Sequence, residues 1–181
     1  MHLYTQEQQQ DIFRAVNDYF VDQLLWRTLY INSEAYNTPE YQIIKEKLNS
    51  LTNTFELIIK SIIKEPACDE FIDAIKDETN LYIQYVDELL KGGPNVDGIK
   101  SIWNKTIQKI TNSLSSMYPN ISIAEYNAML SHQQSILSNI ASCIKSGKYY
   151  EIPDNLTGAR KLIGDLAIVL TKTLLSEAKQ S

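Results

Sequence analysis

The sequence predicts an all-α protein, an up-and-down antiparallel bundle of about six helices with a four-helix-bundle-like core, and three observations carry that expectation. Only six glycines and five prolines occur in 181 residues, and they fall mostly between segments rather than inside them. Within the segments apolar residues recur at steps of three and four, the spacing that gathers side chains on one face of an α-helix. Start and stop chemistry then stands where the periodicity begins and ends.

The first helix is expected over about 5–34. Ile12, Phe13, Val16, Phe20, Leu24 and Ile31 lie on one side, and Val21, Leu25, Trp26, Leu29 and Tyr30 widen the apolar surface. So broad a surface predicts burial on more than one side, or a face shared with a second copy. The second, over about 39–63, carries Tyr41, Ile44, Leu48, Leu51, Phe55, Ile58 and Ile62. Thr38 and Pro39 mark its start, because a threonine oxygen accepts orphan amide protons and a proline at the first helical position loses no bond.

The third, about 66–91, repeats the steps at Cys68, Ile72, Ile75, Thr79, Tyr82, Val86 and Leu89, then stops at Gly92-Gly93-Pro94, where glycine takes the left-handed cap and proline ends the helix. The fourth, about 96–117, turns Ile99, Trp103, Ile107, Ile110, Leu114 and Met117 inward, with Asn95 or Asp97 as its cap. In the fifth, Ser122 and Glu125 make a capping box with Ile121 stapled to Tyr126. It continues through Met129, Leu130, Gln133, Leu137, Ile140 and Ile144 to Gly147. A sixth between about 150 and 179 carries Leu156, Ala159, Ile163, Leu166 and Leu170, with Gly158 and Gly164 as points of close approach. Helices this long joined by short loops pack antiparallel.

A chain 44% hydrophobic and 22% charged is of the size and composition of one globular domain, taken here as 1–181. Its net charge of -5 and scattered Lys and Arg argue against nucleic acid. The opening MHLYTQEQQQDIF lacks a basic segment followed by an apolar run, and no stretch has the roughly 18 uncharged apolar residues of a membrane span. A cytoplasmic protein is therefore expected. Cys68 and Cys143 belong to no ligand spacing and read as buried small hydrophobes. Of eleven tyrosines, Tyr149 and Tyr150 are placed to close the end of the bundle, whereas Tyr82 and Tyr85 suit core packing or the wall of a cavity. Trp26 and Trp103 read as core anchors.

Where polar residues enter the apolar lines, a site is conceivable. Alternation makes the first, third and fifth helices parallel, so Thr79 and Gln133, each about ten residues into its helix, share a height. Glu78 and His132 precede them, Gln23 lies near that height, and Lys161 or Asp165 reaches it from the sixth helix. The candidate ligand-binding residues are thus Gln23, Glu78, Thr79, His132 and Gln133. A di-iron or di-manganese bundle would need Glu-x-x-His motifs, and the chain has none. Zinc would need three or four ligands, and one of only two histidines, His2, stands in the N-terminal tail. No metal and no cofactor is expected. The alternative is structural: Gln133 and Thr79 bonding each other or nearby backbone to fix helix register. His132, about 100° around the helix from Gln133, reads first as a surface or boundary residue. No phosphate loop, nucleophile elbow or HExxH occurs.

Several short motifs resemble a known family. "VDQLLWRTLYI" with Trp26, then Trp103 in the fourth helix, Pro119-Asn120, the serine-capped helix with Met129-Leu130, and Tyr149 after the glycine turn are similar to uncharacterised helical-bundle proteins of Bacillus and Clostridium relatives, some of which carry unsupported glycosyltransferase or acetylglutamate kinase labels. The resemblance covers most of the chain and implies a bacterial origin and a helical bundle. It also implies inward histidines on the first, third, fifth and sixth helices. Matched without gaps, those places hold Gln23, Glu78, Gln133 and Ala159. Binding through imidazole is lost with them, since glutamine is a weak neutral ligand and alanine none. On this match Gln133 is the remnant of a polar layer and His132 merely its neighbour. The expected function is a non-catalytic binding or interaction module for a protein partner or small molecule. The rivals are a ferritin-like or metal-dependent bundle enzyme using Glu78, His132 and Gln133, and a small-molecule carrier.

Overall fold

The computed structural model describes residues 4–63 and 67–176, and among them six α-helices and no strand form. They are α1 (Gln6–Ala35), α2 (Tyr41–Ile62), α3 (Ala67–Lys91), α4 (Val96–Met117), α5 (Ile123–Ser146) and α6 (Ile152–Leu175), with one 3-10 turn, Tyr149–Glu151, before the last. His2, Pro66 and Lys179 lie outside the described residues.

Local chemistry explains the boundaries. Thr5 caps α1 in a full capping box, its Oγ1 accepting from the Gln8 amide at 3.2 Å while Gln8 Oε1 accepts from the Thr5 amide at 2.9 Å. The far end of α1 closes with Asn37 at φ 50° and the Thr38 amide donating to Ser33 O at 3.0 Å, a glycine-type cap made by asparagine. That closure overturns the cap expected for α2. Thr38 Oγ1 is 2.7 Å from Ser33 Oγ, and α2 starts at Tyr41 behind Glu40 with no side-chain cap. Asn95 likewise precedes α4 without capping it, and its amide donates to Glu88 Oε1 at 2.8 Å. Ser122 does cap α5, accepting from the Glu125 amide at 3.3 Å. Gly147 ends that helix in the left-handed region, φ 72°, where an L side chain is strained.

Consecutive helices pack side by side and α6 returns to α1, so the six close into a ring. α1, α3 and α5 also touch one another across its interior. Cross-contacts fix the directions. Glu34 meets Lys91 at 2.9 Å and Tyr30 meets Asp87, later residues with later ones, so α1 and α3 run parallel. Tyr19 stacks on Phe55 with centroids 3.9 Å apart, whereas Lys47 lies over Trp26, so α1 and α2 run antiparallel. The predicted alternation is what forms.

The inward lines hold most of the core. Ile99, Trp103, Ile107, Ile110, Leu114 and Met117 of α4 are all buried, as are Leu130, Leu137, Ile140 and Ile144 of α5. Both cysteines are free and buried. Trp103 is the largest buried side chain, ringed by Tyr82 at 5.9 Å and Tyr85 at 5.5 Å between centroids; each such contact adds about 0.5–1.5 kcal/mol beyond area burial. Gly158 and Gly164 are not the points of close approach expected: a Cβ added at Gly158 would meet Ile136 only at ordinary contact distance, and one at Gly164 would face open space.

Some expectations fail at the outside of the ring. Trp26 is only half-buried. Val21, Leu25 and Leu29 are exposed, because α1 packs between α2 and α6 and its fourth side has no helix to cover it. Tyr149 and Tyr150 are exposed too, so they do not seal the bundle; Tyr149 meets Tyr36 through their hydroxyls at 3.0 Å.

One ion-pair cluster ties α2 to α3. Glu56 bonds Lys60 at 2.7 Å and Lys76 at 2.6 Å, and Lys60 reaches Asp69 at 2.9 Å. Lys60 first, then Lys76, hold the Glu56 carboxyl down from 4.5 to about 2. A carboxyl lowered on folding adds stability above its unfolded value, and that contribution disappears as the pH falls from about 4.5 toward about 2. Acid titration of unfolding free energy should therefore show a shallower limb in this window for Glu56→Gln than for the wild type, with parallel curves above it. Superimposable acid limbs would exclude the pairing in solution.

Candidate functional site

Gln23, Glu78 and Thr79 converge on Arg27, one turn beyond Gln23 on the inward line of α1. Its side chain is 3% exposed, and a lone buried guanidinium would be very unstable. It is held from several sides. Nε donates to Gln23 Oε1 at 2.9 Å, Nη1 to Glu78 Oε1 at 2.8 Å, and Nη2 to Glu78 Oε2 and to Thr79 Oγ1. Arginine's rigid fork suits this two-point grip on a carboxylate. Its carbon Cζ lies 4.7 Å from the centroid of the Tyr82 ring, an added cation–π attraction. Burial works against the charge of Arg27, yet Glu78 outweighs it and raises the pKa above the ordinary arginine value.

The network continues into α2 and α4. Trp103 Nε1 donates to Glu78 Oε1 at 3.0 Å. Thr52 Oγ1 lies 3.4 Å from Thr79 Oγ1 and 3.2 Å from Leu48 O. A hydroxyl has one proton to give; since the Leu48 carbonyl only accepts, Thr52 donates to it and takes a bond from Thr79, which accepts from Arg27. Tyr82 Oη donates to Arg27 O at 2.5 Å. One chain of hydrogen bonds thus joins α1, α3, α4 and α2. Burial also lifts the phenols of Tyr19, Tyr82 and Tyr126 far above the usual tyrosine value, so they stay neutral.

Beside this layer lies a cavity of about 20 Å³, lined by Tyr19, Gln23, Arg27, Glu78, Tyr126 and Gln133 together with apolar residues including Leu130 and Leu170. Gln23, Glu78 and Gln133, the positions singled out from three parallel helices, therefore do face one space. Thr79 is buried next to them but bonds Arg27 and Thr52, not Gln133 as the structural alternative had it. His132 is exposed and does not line the cavity. Lys161 and Asp165 are exposed as well, and α6 contributes only Leu170. Ala159 is buried elsewhere in the core.

Arg27 itself is the residue that sequence reasoning missed. The expected line along α1 jumps from Leu24 to Ile31. The observed one runs Val16, Phe20, Gln23, Arg27, Tyr30, unbroken steps of three and four that place two polar residues a turn apart. That spacing is readable, and a Gln and an Arg in it signal a buried partner. Nothing in the sequence names Glu78 as that partner, or marks Trp103 as its third donor.

Chemically, the arrangement is committed to itself. Both oxygens of the Glu78 carboxylate accept from Arg27, and among the described residues no three His, Cys, Asp or Glu side chains gather as metal ligands. No protein-family model, curated protein or solved structure matches the chain.

Proposed function

We propose that this chain is a cytoplasmic helical-bundle protein without catalytic chemistry, a binding or interaction module. The observation that carries the reading is the mutual pairing of Arg27 and Glu78: the charged groups that enter the core are spent on joining helices. A metal-dependent enzyme would need several donors facing one space, whereas both Glu78 oxygens are held by Arg27 and His132 is exposed. A carrier of small molecules would need interior room, and about 20 Å³ is near the space of one water. Two features support placement in the cytoplasm. Both cysteines are free thiols, as a reducing compartment keeps them, and among the described residues no helix is long and apolar enough to cross a membrane. Kinship with the Bacillus and Clostridium bundle family, on the Trp26 and Trp103 motifs, belongs to the same proposal.

Elemental analysis of protein purified without chelator tests it, with native mass spectrometry on the same sample. The reading expects no stoichiometric metal and a mass equal to the polypeptide or a whole multiple of it. Iron, manganese or zinc at one or more atoms per chain would replace it with the metal-enzyme alternative, and a retained organic mass would favour the carrier.

A further inference from the structure

We propose that the cavity beside Arg27 is a binding site for one ordered water molecule, which joins Gln23 of α1 to Gln133 of α5. The argument begins with an amide whose orientation is fixed. The Nε of Arg27 carries a proton and can only donate, so the Gln23 atom 2.9 Å from it is the carbonyl oxygen. The other end of the amide, Nε2, must then point away from the guanidinium. Gln23 is 2% exposed, and Nε2 has no hydrogen-bond partner in the protein. An orphaned buried donor costs about 1–3 kcal/mol, which native proteins avoid by supplying an acceptor.

The space available decides what that acceptor is. Gln23 lines a cavity of about 20 Å³, above the roughly 10–15 Å³ that a single water requires and too small for a larger molecule. A buried water also needs two to four polar partners. Gln133 and Tyr126 line the same cavity as Gln23, so α1 and α5 bring an amide and a phenol to the space in which Gln23 needs an acceptor. The neighbouring charges do not call for an ion, because Arg27 and Glu78 balance each other. A neutral molecule that both donates and accepts fits the site, and water is the one small enough.

Gln133 thereby acquires a role. It shares no hydrogen bond with Thr79, yet through the water it extends the layer that joins α1, α2, α3 and α4 to a fifth helix. The inference rests on the reading of this layer as structural, and its test is separate from the metal analysis.

A crystal structure of the full chain at high resolution, together with water-selective NOE and ROE spectra of the Gln23 side-chain amide, examines the site directly. The expected result is a single density peak at 2.7–3.2 Å from Nε2 and an amide-to-water cross-peak with the sign of a long-lived water. Gln133→Leu should abolish both, and a cross-peak retained in that variant would overturn the bridge to α5. A dry cavity with no cross-peak in the wild type would overturn the site itself. So would Gln23 Nε2 bonded directly to a protein acceptor. Stoichiometric metal would sink the non-catalytic reading while these water measurements kept their meaning.

Discussion

Arg27→Met should cost about 3–5 kcal/mol of folding stability, because it strands the Glu78 carboxylate in the core without its counter-ion. For a chain of this size, that is a fall of roughly 6–20 °C in Tm. Glu78 is 14% exposed, so some water reaches it, which favours the lower half of the range. The loss is not the worth of the pair. Taking two charges out of water is expensive, and a neutral replacement of both can match the original. Arg27→Met combined with Glu78→Gln should therefore be more stable than Arg27→Met alone, since the stranded charge is gone and the substituted amide carbonyl can still accept from Trp103. Urea unfolding of the wild type, both single variants and the double variant measures the coupling, expected at about 0.5–3 kcal/mol. The control is Arg14→Ala. Arg14 pairs with Asp11 at 3.3 Å, but the two side chains are 71% and 63% exposed, so its removal should stay within about 0.5 kcal/mol. An Arg27→Met variant as stable as that control would mean that the buried pair does not hold in solution.

The fold was legible because long apolar lines and punctuation agree, and agreement between levels narrows the alternatives. α4 shows it best, with all six expected core positions buried. Finer features escape for physical reasons. On α2 the apolar line leads to Ile58, but Ile59 is the buried residue; a repeat of 3.5 slips about 20° per heptad around a helix of 3.6 residues per turn. The Thr38 cap fails because its hydroxyl found Ser33 first, a competition decided by the path of the turn. The exposed Val21, Leu25 and Leu29 fail because composition does not tell how many neighbours a helix will have. The candidate site was half visible. Gln23, Glu78 and Gln133 could be placed at one height from helix direction and length alone. Arg27 could not be placed by hydrophobicity, since only a partner 51 residues away makes its burial tolerable.

Trp103→Ala should be comparably destabilising, about 3–5 kcal/mol, through two losses that a second variant separates. Trp103 is fully buried and fills the space between α3 and α4 against Tyr82 and Tyr85. Alanine would leave a cavity that those rings close only in part. The indole also donates to Glu78 Oε1, the oxygen that Arg27 Nη1 grips. Trp103→Phe keeps most of the ring and deletes the donor. A hydrogen bond to a charged group contributes about 1.5–3 kcal/mol, so Trp103→Phe should lose roughly that much. The decisive comparison combines it with Glu78→Gln. If the indole works by steadying a buried anion, its deletion should cost less once residue 78 is neutral, because a bond between uncharged groups contributes only about 0.5–1.5 kcal/mol. Equal costs on both backgrounds would reduce Trp103 to a packing residue, and the polar layer would then no longer reach α4.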